Sequence, residues 1–370
     1  MTVYLASIAV VVLLSLLVRN KWLTIVLFGG VTWFFAAFRD LNLGLFDTTG
    51  GYYLLFNEAL TSSLGEVVSD VFESETAFFK LINKVIQGFV GSDYQAYIAI
   101  LSFIYILCFC IAIMRFANEH SWSGVQITIG CIAYYSLVYF YSYTMLRQFA
   151  ALSVLIAFAY PCLRKRHSIG FFVSVAFAGL LHSTALVFLI VYPLCVYLPY
   201  KNKYIFIALG VAALGSLAPR IVMSLLVSIP IPVLQVRLGY IAHGIYEAET
   251  AGVGYGTLVF LVLFALFYIW RRPKETDPFY NDLLWLVSIG IVFQGWSHVI
   301  VEFYRVAVYF IVFNAFILPE RLQRIPEKNL RMISMISILG ILLAYGLIVS
   351  AENAGVVPYA FCWDVGAWPC

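Results

Sequence analysis

The chain has 370 residues, of which 63% are hydrophobic and only 11% are charged, and its formal net charge is +3. Soluble globular domains have about 25% charged residues, so this composition excludes a soluble enzyme and indicates a polytopic membrane protein. The apolar runs are continuous and do not alternate with polar residues, which favours an all-α bundle over an outer-membrane barrel.

The first half of the chain contains six predicted membrane spans. Spans 1 and 2 cover about residues 3–18 and 22–38, and an acidic loop follows over 39–93. Within this loop, apolar residues at helical spacing predict an interfacial amphipathic helix over 75–90, with Ser74 as its N-cap. Spans 3 to 6 cover about 94–114, 124–140, 146–163 and 169–181.

The second half of the chain contains six further predicted spans. They cover about 183–198, 204–217, 257–270, 283–299, 303–318 and 332–350. A second loop, 218–256, separates spans 8 and 9, and its IPIP motif at 229–232 interrupts any helix there. A tail follows over 351–370, and we expect residues 1–370 to form a single transmembrane domain of about 12 helices.

The distribution of basic residues predicts the orientation of these spans. Arg19 and Lys21 follow span 1, and most of the 22 Lys and Arg residues lie in turns on that same side. Under the positive-inside rule this side is cytoplasmic. Both termini, the loops 39–93 and 218–256 and the tail 351–370 are therefore expected outside.

A few arginines oppose this rule, because they lie at the outer ends of spans. Arg147 and Arg305 each fall in the first turn of a span that begins outside, where the helix N-terminus favours an anion and a guanidinium matches phosphate oxygens. Arg39 ends span 2, and His182 ends span 6. The pattern predicts an outward-facing cationic pocket for a membrane-anchored phosphate or pyrophosphate.

Simpler explanations exist for each of these residues. The arginines could extend to lipid headgroups or pair with outer carboxylates such as Asp40, Asp47, Glu75 and Glu302. His182 could be a hydrogen-bonded residue at a helix end. The tyrosines near the outer end of span 4 are typical of an aromatic belt, with sugar stacking as the alternative; they are Tyr134, Tyr135, Tyr139, Tyr141 and Tyr143.

Motifs for several other chemistries are absent from the sequence. It contains no Gly-rich phosphate loop with a lysine, no HExxH and no GxSxG, so ATP-driven chemistry and serine hydrolysis are unsupported. Asp40 and Asp47 are seven residues apart and could hold a cation, but no aspartate pair has the spacing of a nucleotide-sugar metal motif. We expect no metal and no cofactor. Cys362 and Cys370 of the tail could form a disulfide in an oxidising space.

Five short segments resemble the EpsG family of Wzy-like polysaccharide polymerases. They are FRDLNLGLFDTTGGYYLLF (38–56), ETAFFKLINKVI (75–86), LRQFA (146–150), LLHSTAL (180–186) and RVAVYF (305–310). The resemblance implies a metal-independent membrane glycosyltransferase similar to the GT-C class. Such an enzyme would join undecaprenyl-pyrophosphate-linked oligosaccharide repeat units into O-antigen (for lipopolysaccharide) or exopolysaccharide at the periplasmic face of the bacterial inner membrane.

The site residues follow from combining this resemblance with the outer cations. Arg147, Arg305 and Arg39 are expected to bind the pyrophosphate. His182 is expected to act as general base or as a second pyrophosphate contact, with Asp47 or Glu75 as the alternative base. The residues expected to contact the sugars are Gln148, Tyr53, Tyr309, Tyr143 and Arg237. Expected partners are the lipid-linked donor and acceptor, membrane lipids and a chain-length regulator, with no nucleic acid.

Two other functions remain open at this point. A lipid-linked oligosaccharide flippase or related transporter would need charges near the middle of the membrane and interrupted helices there. A sugar O-acyltransferase that used His182 would need an acyl donor from the cytoplasm. The unexplained charges lie at one end of the spans, which favours the polymerase.

Overall fold

The computed structural model describes residues 2–18, 20–43, 47–69, 76–218, 221, 224, 228, 255–270, 278–297, 299 and 302–363. These residues form helices joined by short turns, and the β-structure among them is a single isolated bridge between Arg39 and Phe361. The predicted all-α class is confirmed.

The helices of the first half follow the apolar segments of the sequence. They are α1 (Thr2–Val18), α2 (Lys21–Ala37), a π-helical turn (Asp47–Tyr52), α3 (Tyr53–Thr61), α4 (Leu64–Ser69), α5 (Ala77–Val90), α6 (Tyr94–Glu119), α7 (Gly124–Leu137), a 3-10 segment (Tyr139–Tyr143), α8 (Leu146–Val154), a π segment (Leu155–Ala159), α9 (Tyr160–Arg164) and α10 (Ser168–Leu181).

The second half continues in the same way. Its elements are a 3-10 segment (Ser183–Ile190), α11 (Val191–Tyr197), α12 (Lys203–Leu217), α13 (Tyr255–Ile269), α14 (Pro278–Trp296), α15 (Glu302–Ile311), α16 (Asn314–Gln323), α17 (Lys328–Tyr345), a π segment (Gly346–Ser350) and α18 (Ala351–Asn353).

Helical structure occupies every segment predicted as a span. In the described part of the chain, 4 continuous helical stretches are long and apolar enough to cross a membrane: Tyr94–Glu119, Leu146–Arg164, Phe303–Gln323 and Lys328–Asn353. Shorter apolar helices accompany them. The protein is therefore a helical membrane protein, and the number of twelve crossings stays a prediction.

The chain divides into two compact units. The first consists of Met1–Leu189 and Asn314–Cys370, and the second consists of Ile190–Phe313. Among the predicted site residues, Arg39, Arg147 and His182 belong to the first unit, whereas Arg305 belongs to the second.

Close helix packing forms the core of the first unit. The rings of Phe109 on α6 and Tyr134 on α7 stack with their centroids 3.8 Å apart. Gly130 allows α7 to approach α16, since a Cβ there would lie 2.6 Å from the carbonyl oxygen of Ala315. Small residues permit this approach in membrane bundles, where helices associate largely through van der Waals packing.

One end of the first unit, which we call the Arg39 end, gathers both ends of the described chain. The backbone N–H of Asp40 donates to Ala360 (2.9 Å), and that of Cys362 donates to Phe38 (3.0 Å). The Tyr4 hydroxyl of α1 donates to the Val356 carbonyl (3.3 Å). The first turn of α1, the end of α2 and residues 356–362 therefore lie on the same side, as expected for an even number of crossings. The predicted disulfide partner Cys370 lies outside the described residues.

The opposite end of the first unit, which we call the Arg164 end, contains a charged network. Arg164 pairs with Glu119, and its second terminal nitrogen lies 3.2 Å from His120 Nε2. The Trp122 indole N–H donates to Glu320 (2.6 Å). These contacts join the end of α6, the start of α7, the end of α9 and the end of α16.

The amphipathic helix α5 buries polar side chains together with the apolar residues Phe79 and Ile86, and exposes part of its apolar face. Asn83 and Gln87 are buried, with Asn83 accepting from the Tyr97 hydroxyl (2.5 Å) and Gln87 donating to the Phe56 carbonyl (2.6 Å). Val85 and Phe89 are instead exposed. This arrangement suits a helix that rests on the protein while its apolar face meets lipid. The predicted N-cap Ser74 lies outside the described residues.

The second unit is built around α14. The Trp296 indole N–H donates to the Val211 carbonyl of α12 (2.9 Å), and the Tyr280 hydroxyl donates to the Tyr268 carbonyl of α13 (3.0 Å). A Cβ on Gly295 would lie 2.5 Å from the Ala212 carbonyl, so α12 and α14 are in close contact. Phe310 of α15 stacks on Phe293 of α14.

The tyrosines after the middle of α7 do not form an aromatic belt. Tyr134, Tyr135, Tyr139, Tyr141 and Tyr143 are all buried, whereas belt residues would face lipid headgroups. The prediction was wrong because several of these hydroxyls find protein partners: Tyr139 donates to the Thr32 carbonyl (2.7 Å). Buried tyrosines normally satisfy their hydroxyls in this way.

Candidate active site

The start of α8 places Arg147 at the Arg39 end. The chain leaves the 3-10 segment Tyr139–Tyr143 and enters α8 through Met145, whose side chain makes no capping hydrogen bond. The first turn of a helix has backbone N–H groups without helical partners and a partial positive charge, which together favour an anion. Arg147 lies in this turn and is partly buried.

The end of α10 places His182 beside that turn. The Arg147 Nε donates to the carbonyl oxygen of Leu181 (3.3 Å), the residue before His182. Leu181 is the last residue of α10, and His182 leaves the helix with an extended backbone (φ −154, ψ 116). The guanidinium therefore lies at the negative end of the α10 dipole, where a cation is stabilised.

The imidazole of His182 is oriented by its neighbour in the sequence. Its Nδ1 lies 2.6 Å from the Thr184 hydroxyl, and the ring is partly exposed. In the tautomer in which Nδ1 donates to Thr184, Nε2 presents a lone pair, as a general base requires. The antiparallel pair α8 and α10 thus brings Arg147 into contact with the residue before His182, at the Arg39 end of the first unit.

Arg39 lies behind this turn and is completely buried. It donates to the carbonyl oxygens of Ala36 (3.2 Å) and Tyr143 (3.1 Å), and its Cζ lies 4.2 Å from the centre of the Tyr143 ring. Burial lowers the pKa of the Arg39 guanidinium below its ordinary value. These contacts indicate a positioning role, because they fix the segment that leads into α8. Its predicted contact with pyrophosphate stays a prediction.

The predicted sugar contacts of the first unit differ in exposure. Tyr143 is buried, its hydroxyl lies 2.6 Å from that of Tyr139, and burial raises the pKa of Tyr143 to about 12, so its phenol is neutral near pH 7. Gln148 is buried within α8. Tyr53 is partly exposed, and its ring meets that of Tyr94 edge to face at 5.1 Å.

The other predicted site residues lie elsewhere or are not described. In the second unit, Arg305 is partly buried on α15 and Tyr309 is fully buried on the same helix. The backbone of Asp47 begins the π-helical turn. Glu75 and Arg237 lie outside the described residues. The structure thus groups Arg147 with His182, and connects Arg39 to them through the segment 143–147.

Two polar residues near the site were missed from the sequence. The Tyr105 hydroxyl of α6 donates to the Leu146 carbonyl (2.7 Å) and so supports the first turn of α8. Thr184 orients His182. The signal for Thr184 was its position two residues after a histidine at a helix end. Tyr105 gave no signal, because one tyrosine inside an apolar span resembles a packing residue.

Comparisons with known proteins give one match. The family model described as the EpsG family matches residues 22–361. No curated protein and no solved structure matches the chain. Because the matched region covers nearly the whole sequence and includes Arg39, Arg147, His182 and Arg305, this chain belongs to the EpsG family.

Proposed function

We propose that the protein is a polysaccharide polymerase that joins lipid-pyrophosphate-linked oligosaccharide repeat units at the outer face of the bacterial inner membrane. Membership of the EpsG family supports a membrane protein of polysaccharide biosynthesis. The observation that contributes most to the reaction assignment is the hydrogen bond that holds Arg147 against the end of α10, beside His182.

In the proposed reaction, the growing chain on its undecaprenyl pyrophosphate is the donor. The bond between its anomeric carbon and the pyrophosphate oxygen breaks, and the electron pair leaves with the pyrophosphate. Arg147 and the N-terminus of α8 stabilise the negative charge that develops there. Arg305 is the second proposed pyrophosphate ligand.

The acceptor in this reaction is a terminal sugar hydroxyl of the incoming repeat unit. Its oxygen bonds to the anomeric carbon, and its proton passes to His182 Nε2. Asp47 or Glu75 is the alternative base. Gln148, Tyr53, Tyr309, Tyr143 and Arg237 are the proposed sugar contacts. The donor's bond between its anomeric carbon and the pyrophosphate supplies the driving force when it breaks, so the reaction needs no nucleotide.

Purified protein and one synthetic substrate test this proposal. We expect the full-length protein, given a lipid-pyrophosphate repeat unit, to form a ladder of polymers and to release undecaprenyl pyrophosphate. The ladder should persist with EDTA present, because the proposed chemistry uses guanidinium groups in place of a metal. A protein that leaves the substrate unchanged in every membrane mimetic would contradict the proposal.

Cells that lack the protein distinguish the three functions. A polymerase defect leaves single repeat units capping the surface lipid. A flippase defect leaves undecorated lipid, because repeat units never reach the outer face. An acyltransferase defect leaves the ladder unchanged and alters only the acylation of its sugars.

A further inference from the structure

A small cationic cavity lies at the Arg164 end of the first unit, opposite the candidate active site. Its volume is about 190 Å³, and its walls are mostly apolar side chains of α6 and the α8–α9 segment. Arg115, Arg164 and Lys165 surround it together with a single carboxylate, that of Glu119. The three cations outnumber the carboxylate, so the cavity favours an anion.

The two arginines of this cavity make contacts with the protein itself. Arg164 pairs with Glu119, approaches His120 (3.2 Å) and lies over the Phe116 ring, with its Cζ 5.0 Å from the ring centre. Arg115 donates to the Ala157 carbonyl (3.0 Å). A ligand that binds them pays a smaller entropic cost, because these two long side chains are already ordered.

A second, larger cavity runs between α2 and α6. Its volume is about 520 Å³, and its lining is apolar except near one end, where Arg115 and Asn118 lie. The α6 residues that line it extend from Phe103 to Asn118, which corresponds to about 22 Å at 1.5 Å per residue. One leaflet contributes about 15 Å, half of the roughly 30 Å hydrocarbon core. The groove is therefore long enough for one acyl chain.

Arg115 lines both cavities, so the cationic cavity and the apolar groove adjoin at its side chain. We propose that this end of the first unit binds one anionic phospholipid, with its phosphate between Arg115, Arg164 and Lys165 and one acyl chain in the groove between α2 and α6. Arg115 lies four residues before the end of α6, which is about 6 Å at 1.5 Å per residue, so a phosphate bound to it lies near that end of the helix. This site is separate from the proposed sugar chemistry, and it does not depend on it.

Native mass spectrometry of the full-length protein tests the headgroup contacts. We expect phosphatidylglycerol to remain bound in preference to phosphatidylcholine with the same acyl chains. Arg115→Gln and Lys165→Gln should each weaken phosphatidylglycerol binding by about tenfold, as expected when a hydrogen bond to a charged group is lost. Lys328→Gln is the matched control, because Lys328 is also exposed at the Arg164 end but lines neither cavity. Equal retention of the two lipids would overturn the proposal.

A groove-filling variant tests the acyl chain. A Cβ on Gly30, which lines the groove, would meet nothing within 4 Å, so the backbone there has room for a side chain and Gly30→Leu places one in the groove. We expect it to reduce phosphatidylglycerol binding. Gly340→Leu is the control, because Gly340 is equally open on α17 but lies outside the groove. Two results would show that the site is a simple anion pocket and that the phospholipid proposal is wrong. One is normal lipid binding by Gly30→Leu. The other is competition by inorganic phosphate that is as strong as competition by the lipid.

Discussion

The contacts of Arg147 allow the role of its positive charge to be tested separately from the role of its planar guanidinium. Its Nε is used to hold the end of α10, where it donates to Leu181. A lysine at this position has the same charge, but it lacks the planar group that can bond a carbonyl and face an anion at once.

We therefore expect Arg147→Lys and Arg147→Ala to lose most polymerase activity, by at least about 100-fold as for removal of one group that stabilises developing charge. The measurement is the polymer ladder from purified protein, with the amount of folded protein checked by size-exclusion chromatography. A normal ladder from Arg147→Ala would remove this residue from the site.

Arg39 offers a test of a structural role against a binding role. Its guanidinium is buried and donates to two backbone carbonyls, which would be left without these donors in Arg39→Met. Unsatisfied buried polar groups cost about 1–3 kcal/mol each, so we expect a clearly lower melting temperature.

Arg331→Met is the control for this comparison. Arg331 also donates to two backbone carbonyls, those of Ile325 and Pro326, but it is exposed, so water can replace its hydrogen bonds. Its melting temperature should change little. An Arg39→Met protein that melts normally but makes no polymer would instead favour direct contact with the pyrophosphate.

Among the helices, α5 supports the C-terminal end of α3 through Lys84. The Lys84 ammonium donates to the carbonyls of Ala59 (3.0 Å) and Leu60 (3.3 Å), at the C-terminal end of α3, where a cation is favourable. We expect Lys84→Met to increase amide hydrogen exchange across 53–61. Lys80→Met should have a smaller effect, because its partner Glu58 is half exposed and such ion pairs contribute about 0–1 kcal/mol.

The contact between α7 and α16 depends on a glycine. An added methyl at Gly130 would lie 2.6 Å from a backbone carbonyl and 2.7 Å from the Ile113 side chain, and the backbone cannot rotate away as a flexible side chain could. Overpacking of this kind costs about 1–3 kcal/mol. We expect Gly130→Ala to lower the melting temperature while Gly340→Ala leaves it unchanged, and equal melting would contradict the close approach seen here.

The sequence predicted helix positions well, because a long apolar run in a membrane satisfies its backbone hydrogen bonds by forming a helix. It also predicted that Arg147 and His182 return to one face, since two successive spans reverse direction. It did not predict the burial of Arg39 or of the tyrosines near it. Arg39 meets Tyr143 and Phe361, and contacts so distant in sequence leave no periodic signal. The burial of Asn83 was missed because an amphipathic pattern assigns polar residues to the exposed face of a helix and does not identify a single amide that is buried.

At the scale of the whole molecule, the arrangement of ends predicts a topology. The Arg39 end of the first unit contains Tyr4, Arg39 and Val356. The opposite, Arg164 end contains Lys165 and Lys328. We expect alkaline phosphatase fused after Cys362 to be active outside the cell membrane. A fluorescent protein inserted at Lys165 should be bright inside. The reverse result at both positions would invert the orientation and place the arginine–histidine pair in the cytoplasm.

The bridge between Arg39 and Phe361 also has a consequence for biosynthesis. The Tyr4 and Tyr359 hydroxyls reach carbonyls 352 and 324 positions away, so these bonds form only after ribosomes have translated nearly all of the described chain. Until then, the Phe38 carbonyl and the Asp40 N–H lack the backbone partners that residues 360 and 362 provide. These contacts therefore require synthesis of residues 356–362, and a polypeptide that ends before them would expose an open edge that quality-control proteases could recognise.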